Sequence, residues 1–222
     1  DSIQAALPYQ VERQTYKTFD ENLLLRILPE DLRVSKKRNR VRNTTIFLVD
    51  ASGSSASQRL GEAKGAVELL LAECYIRRDE VALISFRGKH SDILLEPTRS
   101  LVRAKKCLRG LKGGGGTPMA TALEHAFNLC CSELSHGKIP VLVILSDGGA
   151  NVTKSGVGGR VKAFEESLKS AELFNSYTIK SIFIDIADNP APQTRFLADK
   201  LGGTYLPLPR ASSKKILDAV TT

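Results

Sequence analysis

No apolar run in this 222-residue chain approaches the roughly 20 residues that a bilayer-spanning helix needs, so the chain reads as soluble. Cysteine is scarce and poorly spaced for metal: Cys74, Cys107, Cys130 and Cys131 form no C-x-x-C pair, and two of them are adjacent. That excludes the usual zinc spacings and a disulfide framework, and it favours a reducing compartment. Histidine is also scarce, and His90, His125 and His136 fall in an expected hairpin turn, in a helix and near a helix end, where they build no Ser/His/Asp triad. There is no start methionine, no secretory pattern and no internal repeat. The chain opens on Asp1-Ser2-Ile3 in mid-pattern, and it reads as a piece of a longer protein whose targeting information would lie elsewhere.

What is present suffices for one α/β domain preceded by an extension: 42% of the residues are hydrophobic, and single domains of this size are common. The formal net charge of +8 is concentrated in places. Arg33, Lys36, Lys37, Arg38, Arg40 and Arg42 lie in one stretch without an acidic residue. Such a run favours an acidic partner. Nucleic acid fits less well, because no aromatic side chain interleaves to stack on bases, and a solvated linker is the plain alternative. Asn43-Thr44-Thr45 and Asn151-Val152-Thr153 match the glycosylation pattern, which is common by chance.

From Thr44 onward short β-branched runs alternate with helical periods. This predicts a doubly wound, mostly parallel six-stranded sheet with one antiparallel edge strand and helices on both faces. Strands are expected at Thr44 to Val49, Glu80 to Phe86, Ile93 to Leu95, Pro140 to Leu145, Ile179 to Ile186 and Thr204 to Leu206. The gap between Phe86 and Ile93 is too short for a crossover helix, so these two runs should form a hairpin. Helices are expected at Ala56 to Tyr75, Ser100 to Leu111, Pro118 to Leu134, Arg160 to Ser176, Pro192 to Leu201 and Ser212 to Val220, with Pro118 in the first turn. Residues 1–43 form the extension, with a short strand near Leu32 to Val34, and residues 44–222 form the domain.

In such a sheet ligands bind beyond the carboxyl ends of the strands. Three loops meet there: Asp50 to Ser54, the glycine run Gly113 to Gly116 with Thr117, and Ser146 to Gly149. Together they offer Asp50, Ser52, Ser54, Thr117 and Asp147. Hard oxygens from short, stiff side chains suit Mg²⁺, which keeps waters or takes an oxygen from another molecule. Singly, each element has a duller explanation, since Ser and Asp at strand-to-helix junctions are commonly helix caps. The glycine run alone would be a flexible connector, and it lacks the Gly-Lys-Ser/Thr ending of a nucleotide loop. An aspartyl-phosphate enzyme would want a second acid two residues after Asp50, where Ser52 stands as a poor general acid.

The joint pattern Asp-x-Ser-x-Ser, then Thr, then Asp resembles the metal-ion-dependent adhesion site of the von Willebrand factor A, or integrin I, family. Its residues fall on Asp50, Ser52, Ser54, Thr117 and Asp147 without departure. The resemblance implies that Ser52 and Ser54 bind a divalent cation directly, that Thr117 and Asp147 bind directly or through water, and that Asp50 acts through water and hydrogen bonds.

Further stretches, Arg59 to Glu73, Arg77 to Gly88, Pro97 to Val102, Gly113 to Pro118, Ser146 to Asn151 and Tyr205 to Pro209, are similar to the family of magnesium-chelatase D subunits. That likeness implies a non-catalytic domain in a complex that uses ATP to insert Mg²⁺ into protoporphyrin IX. Its partners would be an AAA+ I subunit that hydrolyses the ATP and a porphyrin-binding H subunit. It also implies a bacterial cytoplasm or chloroplast stroma, with no membrane contact, and gives Arg33 to Arg42 an acidic linker or AAA+ surface to dock on. A cobalt-chelatase subunit, or a general adhesion or RNA-associated A domain, would share the metal loops.

Overall fold

Seven of the eight residues of the first strand, β1 (Asn43–Asp50), are buried, as expected of a strand covered on both faces. The computed structural model describes residues 2–13, 25–33, 42–52, 67–68, 70–111, 113–156 and 159–208. Five more strands complete one sheet: β2 (Glu80–Arg87), β3 (His90–Thr98), β4 (Ile139–Ser146), β5 (Lys180–Asp185) and β6 (Thr204–Pro207). Their order is β3-β2-β1-β4-β5-β6, parallel throughout except for the antiparallel β2–β3 pair at one edge.

The expected hairpin is there, with longer strands and a tighter turn. β3 runs from His90 to Thr98, because its exposed side hid the alternation beyond Ile93 to Leu95. Gly88 sits at φ +64, a backbone that suits a two-residue hairpin turn.

Side-chain alternation divides the core in two. On one face Phe47, Val49, Val143 and Leu145 pack with Leu70, Leu71 and Cys74 of the helical residues 70–77 and with Ala104 and Leu108 of α3 (Leu101–Arg109). On the other, Ile46, Leu48, Leu142, Ile144 and Phe183 pack under α4 (Met119–Ser135), α5 (Arg160–Ser176) and α6 (Pro192–Lys200). Ser100 caps α3 by accepting the Arg103 N–H. Pro118 is the cap residue of α4 rather than a residue of its first turn, and its carbonyl accepts the Ala122 N–H at 3.0 Å. The expected helix at Ser212 to Val220 lies outside the described residues, as do residues 56–66 of the helix expected at Ala56 to Tyr75.

Residues Asp1–Arg40 cluster as a unit of their own, and the sheet belongs to the unit Val41–Thr222. The first holds two short helices, α1 (Ser2–Ala6) and α2 (Gln10–Arg13). Arg13 pairs with Asp31, whose Oδ2 also accepts the Leu28 N–H at 2.9 Å, and these contacts hold the Asp31 carboxyl below its ordinary range. The expected short strand does not form at Leu32 and Arg33. A 3-10 turn at Pro29–Asp31 precedes them, and Val34 lies outside the described residues.

At the amino-terminal ends of the strands a polar clamp ties β1 to α4. The Thr44 hydroxyl donates to Glu133 Oε2 at 2.5 Å, and Lys138 Nζ reaches Glu133 at 2.9 Å and Glu80 at 2.7 Å. Glu133 is buried, so removing its cation would leave a carboxylate with the Thr44 hydroxyl as its remaining side-chain donor in the clamp. Lys138→Met should therefore destabilise the chain by about 3 kcal/mol in urea unfolding. Bonding to Glu80 and Glu133 raises the Lys138 pKa, so the lysine's contribution is present at neutral pH and, on the alkaline side, is lost as pH rises through that raised value.

Candidate metal centre

The parallel register sets three side chains in a row across the upper edge of the sheet. Val49 pairs with Leu145 and Ser146 with Asp185, so Asp50, Ser146 and Asp185 end β1, β4 and β5 side by side. Alternation turns them toward the face that α4 to α6 cover.

Asp50 is only 3% exposed. Its Oδ1 accepts the Ser52 N–H at 2.8 Å and its Oδ2 accepts the Ser146 hydroxyl at 2.7 Å. Burial pushes the Asp50 carboxyl above its ordinary range, hydrogen bonds from Ser52 and Ser146 oppose the shift, and nearby Asp147 adds to it. No cationic side chain figures among these influences, and a divalent cation is the charge that would relieve them. With both oxygens already accepting, Asp50 is set to act on a cation through its neighbours.

The second loop is drawn in by backbone contacts. Ala51 donates its N–H to the Phe86 carbonyl at 3.1 Å and accepts the Gly114 N–H at 2.9 Å. The Thr117 hydroxyl then donates to Ser52 Oγ at 2.7 Å, which brings one hydroxyl from each loop into contact. Asn151 grips Thr117 from the other side: its Oδ1 accepts the Thr117 N–H at 2.6 Å, and its own N–H reaches the Thr117 carbonyl at 3.2 Å.

The second half of the glycine run is a packed spacer rather than a loose connector. A Cβ on Gly115 would lie 3.0 Å from the Gly88 backbone, and one on Gly116 would lie 2.6 Å from Val152 Cγ2 and 2.9 Å from the Gly88 carbonyl.

The third loop begins at Asp147, whose Oδ1 accepts the Gly149 N–H at 2.9 Å and whose carbonyl accepts the Thr194 hydroxyl at 3.1 Å. Gly148 sits at φ +76, and a Cβ there would come within 2.3 Å of Thr194 Oγ1. Ser52, Thr117 and Asp147 line one open cleft of about 690 Å³, together with Asn151, Arg160 and Gln193.

Four of the five expected donors thus stand at one end of the sheet, and the fifth, Ser54, lies outside the described residues. Two carboxylates and a set of hydroxyls are hard oxygen donors, a chemistry that fits Mg²⁺ better than a soft or nitrogen-seeking metal. Among the described residues no three His, Cys, Asp or Glu side chains gather into another metal cluster. None of the three histidines lines the cleft.

Of the expected basic segment, Arg33 lies in the N-terminal unit and Arg42 directly precedes β1, where its carbonyl accepts the Ile139 N–H at 2.9 Å. Lys36, Lys37, Arg38 and Arg40 lie outside the described residues.

Sequence reasoning passed over Ser146, Asn151, Thr194 and Asp185. Ser146 could have been found by parity, because it occupies on β4 the position that Asp50 occupies on β1. Asp185 carries the same signal on β5. It is buried, accepts the Tyr205 hydroxyl at 2.5 Å and the Ala187 N–H at 2.9 Å, and is pushed up by burial. The grip of Asn151 on Thr117 and of Thr194 on the Asp147 carbonyl spans long sequence separations and has no local signal.

Residues 45–150 match the von Willebrand factor type A domain family. The chain is 42% identical to the magnesium-chelatase 60 kDa subunit of Cereibacter sphaeroides, over 97% of this chain and 38% of that protein. It is 36% identical to the magnesium-chelatase 67 kDa subunit of Chlorobaculum tepidum, over 97% of this chain and 37% of that one. It therefore spans well under half the length of these relatives. Among solved structures, the von Willebrand factor domain of a type V pilus tip protein from Porphyromonas gingivalis superposes with a TM-score of 0.64 at 14% identity, covering 82% of this chain and 95% of that one. This last likeness concerns the fold.

A buried carboxylate whose pKa is raised by folding subtracts from stability: the loss sets in as pH rises through the unfolded chain's ordinary carboxylate value and is complete above the raised folded value. Asp50→Asn keeps an oxygen for the Ser52 N–H, turns its amide NH₂ toward the Ser146 hydroxyl oxygen, which can accept, and removes the charge. At pH 7 and without metal it should raise the midpoint of thermal unfolding, and it should cancel any further rise produced by MgCl₂ in the parent chain. A midpoint that falls in the metal-free variant would show that the charge is not a burden.

Proposed function

The chain has the von Willebrand factor type A fold and is similar over nearly its whole length to magnesium-chelatase subunits, and on that premise we propose that it is a metal-dependent docking domain without turnover of its own. Asp50, Ser52, Ser54, Thr117 and Asp147 would hold a divalent cation, preferably Mg²⁺. The cation would supply Lewis acidity toward a carboxylate from a partner chain. Contact between the Ser52 and Thr117 hydroxyls, in a cleft that Asp147 also lines, carries this reading.

The chain's own residues do the preparation. Asp50 fixes the Ser52 backbone and the end of β4, Asn151 holds Thr117, and the glycine run sets the distance between the loops. Asp147 stands at a half-buried position, where an incoming group can approach without dismantling the core. Among the described residues no histidine lines the cleft; Glu165 does, and Arg160 gives it a cation able to attract an acidic partner.

In the assembled enzyme this docking would join the AAA+ I subunit, where ATP is hydrolysed, to the H subunit, where Mg²⁺ enters protoporphyrin IX. The inserted Mg²⁺ is the reaction's substrate and is separate from the ion held here. Arg33 to Arg42 would add a salt-sensitive contact with an acidic surface.

Calorimetric titration with MgCl₂ tests the ion. Asp147→Ala and Thr117→Ala should each weaken the response by about 10- to 100-fold, while circular dichroism stays unchanged. Association with the I and H subunits should then be lost in these variants and in EDTA. Equal association with and without EDTA would sink the reading.

A further inference from the structure

At the amino-terminal ends of β2, β4, β5 and β6 the chain turns from helix into strand through one repeated corner. A left-handed residue donates its N–H three residues back, and the next N–H reaches five back: Arg78 to Tyr75 and Asp79 to Cys74, Gly137 to Leu134 and Lys138 to Glu133, Thr178 to Asn175 and Ile179 to Phe174, Gly202 to Asp199 and Gly203 to Ala198. The four φ values are +64, +71, +54 and +64. Glycine fills two corners at no steric cost, whereas Arg78 adopts a conformation that costs a residue with a Cβ about 1 kcal/mol or more.

Arg78 lines an open cleft of about 500 Å³ with Tyr75, Ile76, Asp79 and Arg99. Tyr75 is 60% exposed and Ile76 73%, so this end of the domain presents an aromatic and an aliphatic side chain beside two guanidiniums. A small apolar notch bordered by Leu71 and Leu101 shares Tyr75, Asp79 and Arg99 with the cleft.

The acidic groups nearby are engaged. Asp79 pairs with Arg77 at 2.9 Å, and Glu80 with Lys138 at 2.7 Å and, more distantly, with Arg99 at 3.9 Å. Among the described residues Arg77, Arg78, Arg99 and Lys138 thus stand near Asp79, Glu80 and Glu133, with Glu73 close to Arg77, and the Arg78 guanidinium adds a cation to this end. Burial and the nearby Arg77 push the Lys180 ammonium below its ordinary range, in keeping with a surplus of cations.

We propose that this cleft docks an acidic segment of a partner chain, in which an apolar side chain lies between carboxylates. Arg78 and Arg99 take the carboxylates through charge-assisted hydrogen bonds, and the exposed Tyr75 and Ile76 side chains take the apolar side chain. A single aromatic next to an isoleucine is a poor stacking platform, so nucleic acid is the less suitable occupant. The cleft lies at the opposite ends of the strands from the metal centre and functions without it.

Fluorescence anisotropy of the full chain with a fluorescein-labelled Glu-Glu-Leu-Glu-Glu-Phe-Glu-Glu peptide tests this. Saturable binding is expected, unchanged by EDTA and weakened as NaCl rises past about 0.1 M, where the screening length falls to roughly 10 Å. Arg78→Gly combined with Arg99→Gln should reduce affinity about tenfold or more. Arg78→Gly alone should keep or raise the unfolding midpoint, because glycine relieves the left-handed backbone. That separates lost recognition from lost folding. Thr178→Gly gives the same relief outside the cleft and should retain peptide affinity. An undiminished affinity in the double variant, an absence of saturable binding, or tighter binding of an oligouridine of equal charge would each overturn the proposal.

Discussion

The hydrogen bond from Ser146 to the buried Asp50 carboxylate holds the two central strands together where the sheet gives way to loops. It exists because β1 and β4 are in one particular parallel register, and a slip of one residue would carry Asp50 to the opposite face. That register is enforced from below by two apolar faces, each packed under its own helices. The strands are thus fixed by burial along their length, and their last residues inherit that rigidity. Ser52, hydrogen-bonded to Asp50 and touched by Thr117, extends the same order into the loops.

Rigidity of this kind has a cost. An ionised carboxylate in a nearly closed environment is poorly solvated, and the hydroxyl and amide that face Asp50 offset this only partly. A cation beside it would convert that penalty into binding affinity. Asp147, less buried and at the mouth of the cleft, can meet the same cation at smaller expense. The two carboxylates are therefore unequal by position: one shapes the centre, and the other remains near solvent.

Much of this was legible in the residues themselves. The run Thr44 to Val49 could only be a strand buried on both faces, and three loops at strand ends with hydroxyls and carboxylates narrowed the chemistry to hard oxygen donors. The hairpin and its antiparallel edge strand followed from the short Phe86 to Ile93 connection. What local pattern could not show was close approach between distant backbones. Gly115 and Gly116 look like a flexible linker until the Gly88 turn is seen against them. Asn151 and Thr194 look like ordinary loop and helix residues, yet they set the positions of Thr117 and Asp147. The strand expected near Leu32 failed because Pro29, with its fixed φ and missing N–H, opens a 3-10 turn instead.

A parallel sheet has two chemically different ends, and the proposed metal docking and arginine docking fall at opposite ones. Beyond the carboxyl ends, loops start from strands and deliver Asp carboxylates and Ser hydroxyls, hard oxygen donors of the kind the proposed divalent cation would use. Before the amino ends, helices turn into strands, and their last turns present Tyr75, Ile76 and Arg78 with Arg99 alongside. Both ends are suited to acidic partners by different physics. Capture through a metal depends on a coordination bond and is abolished by chelation. Capture by arginines depends on screened charge and is weakened by salt. Two acidic segments of one assembly can thus be sorted to the two ends without competing, because a segment that satisfies the metal needs one well-placed carboxylate, and a segment that satisfies the arginines needs several around an apolar residue.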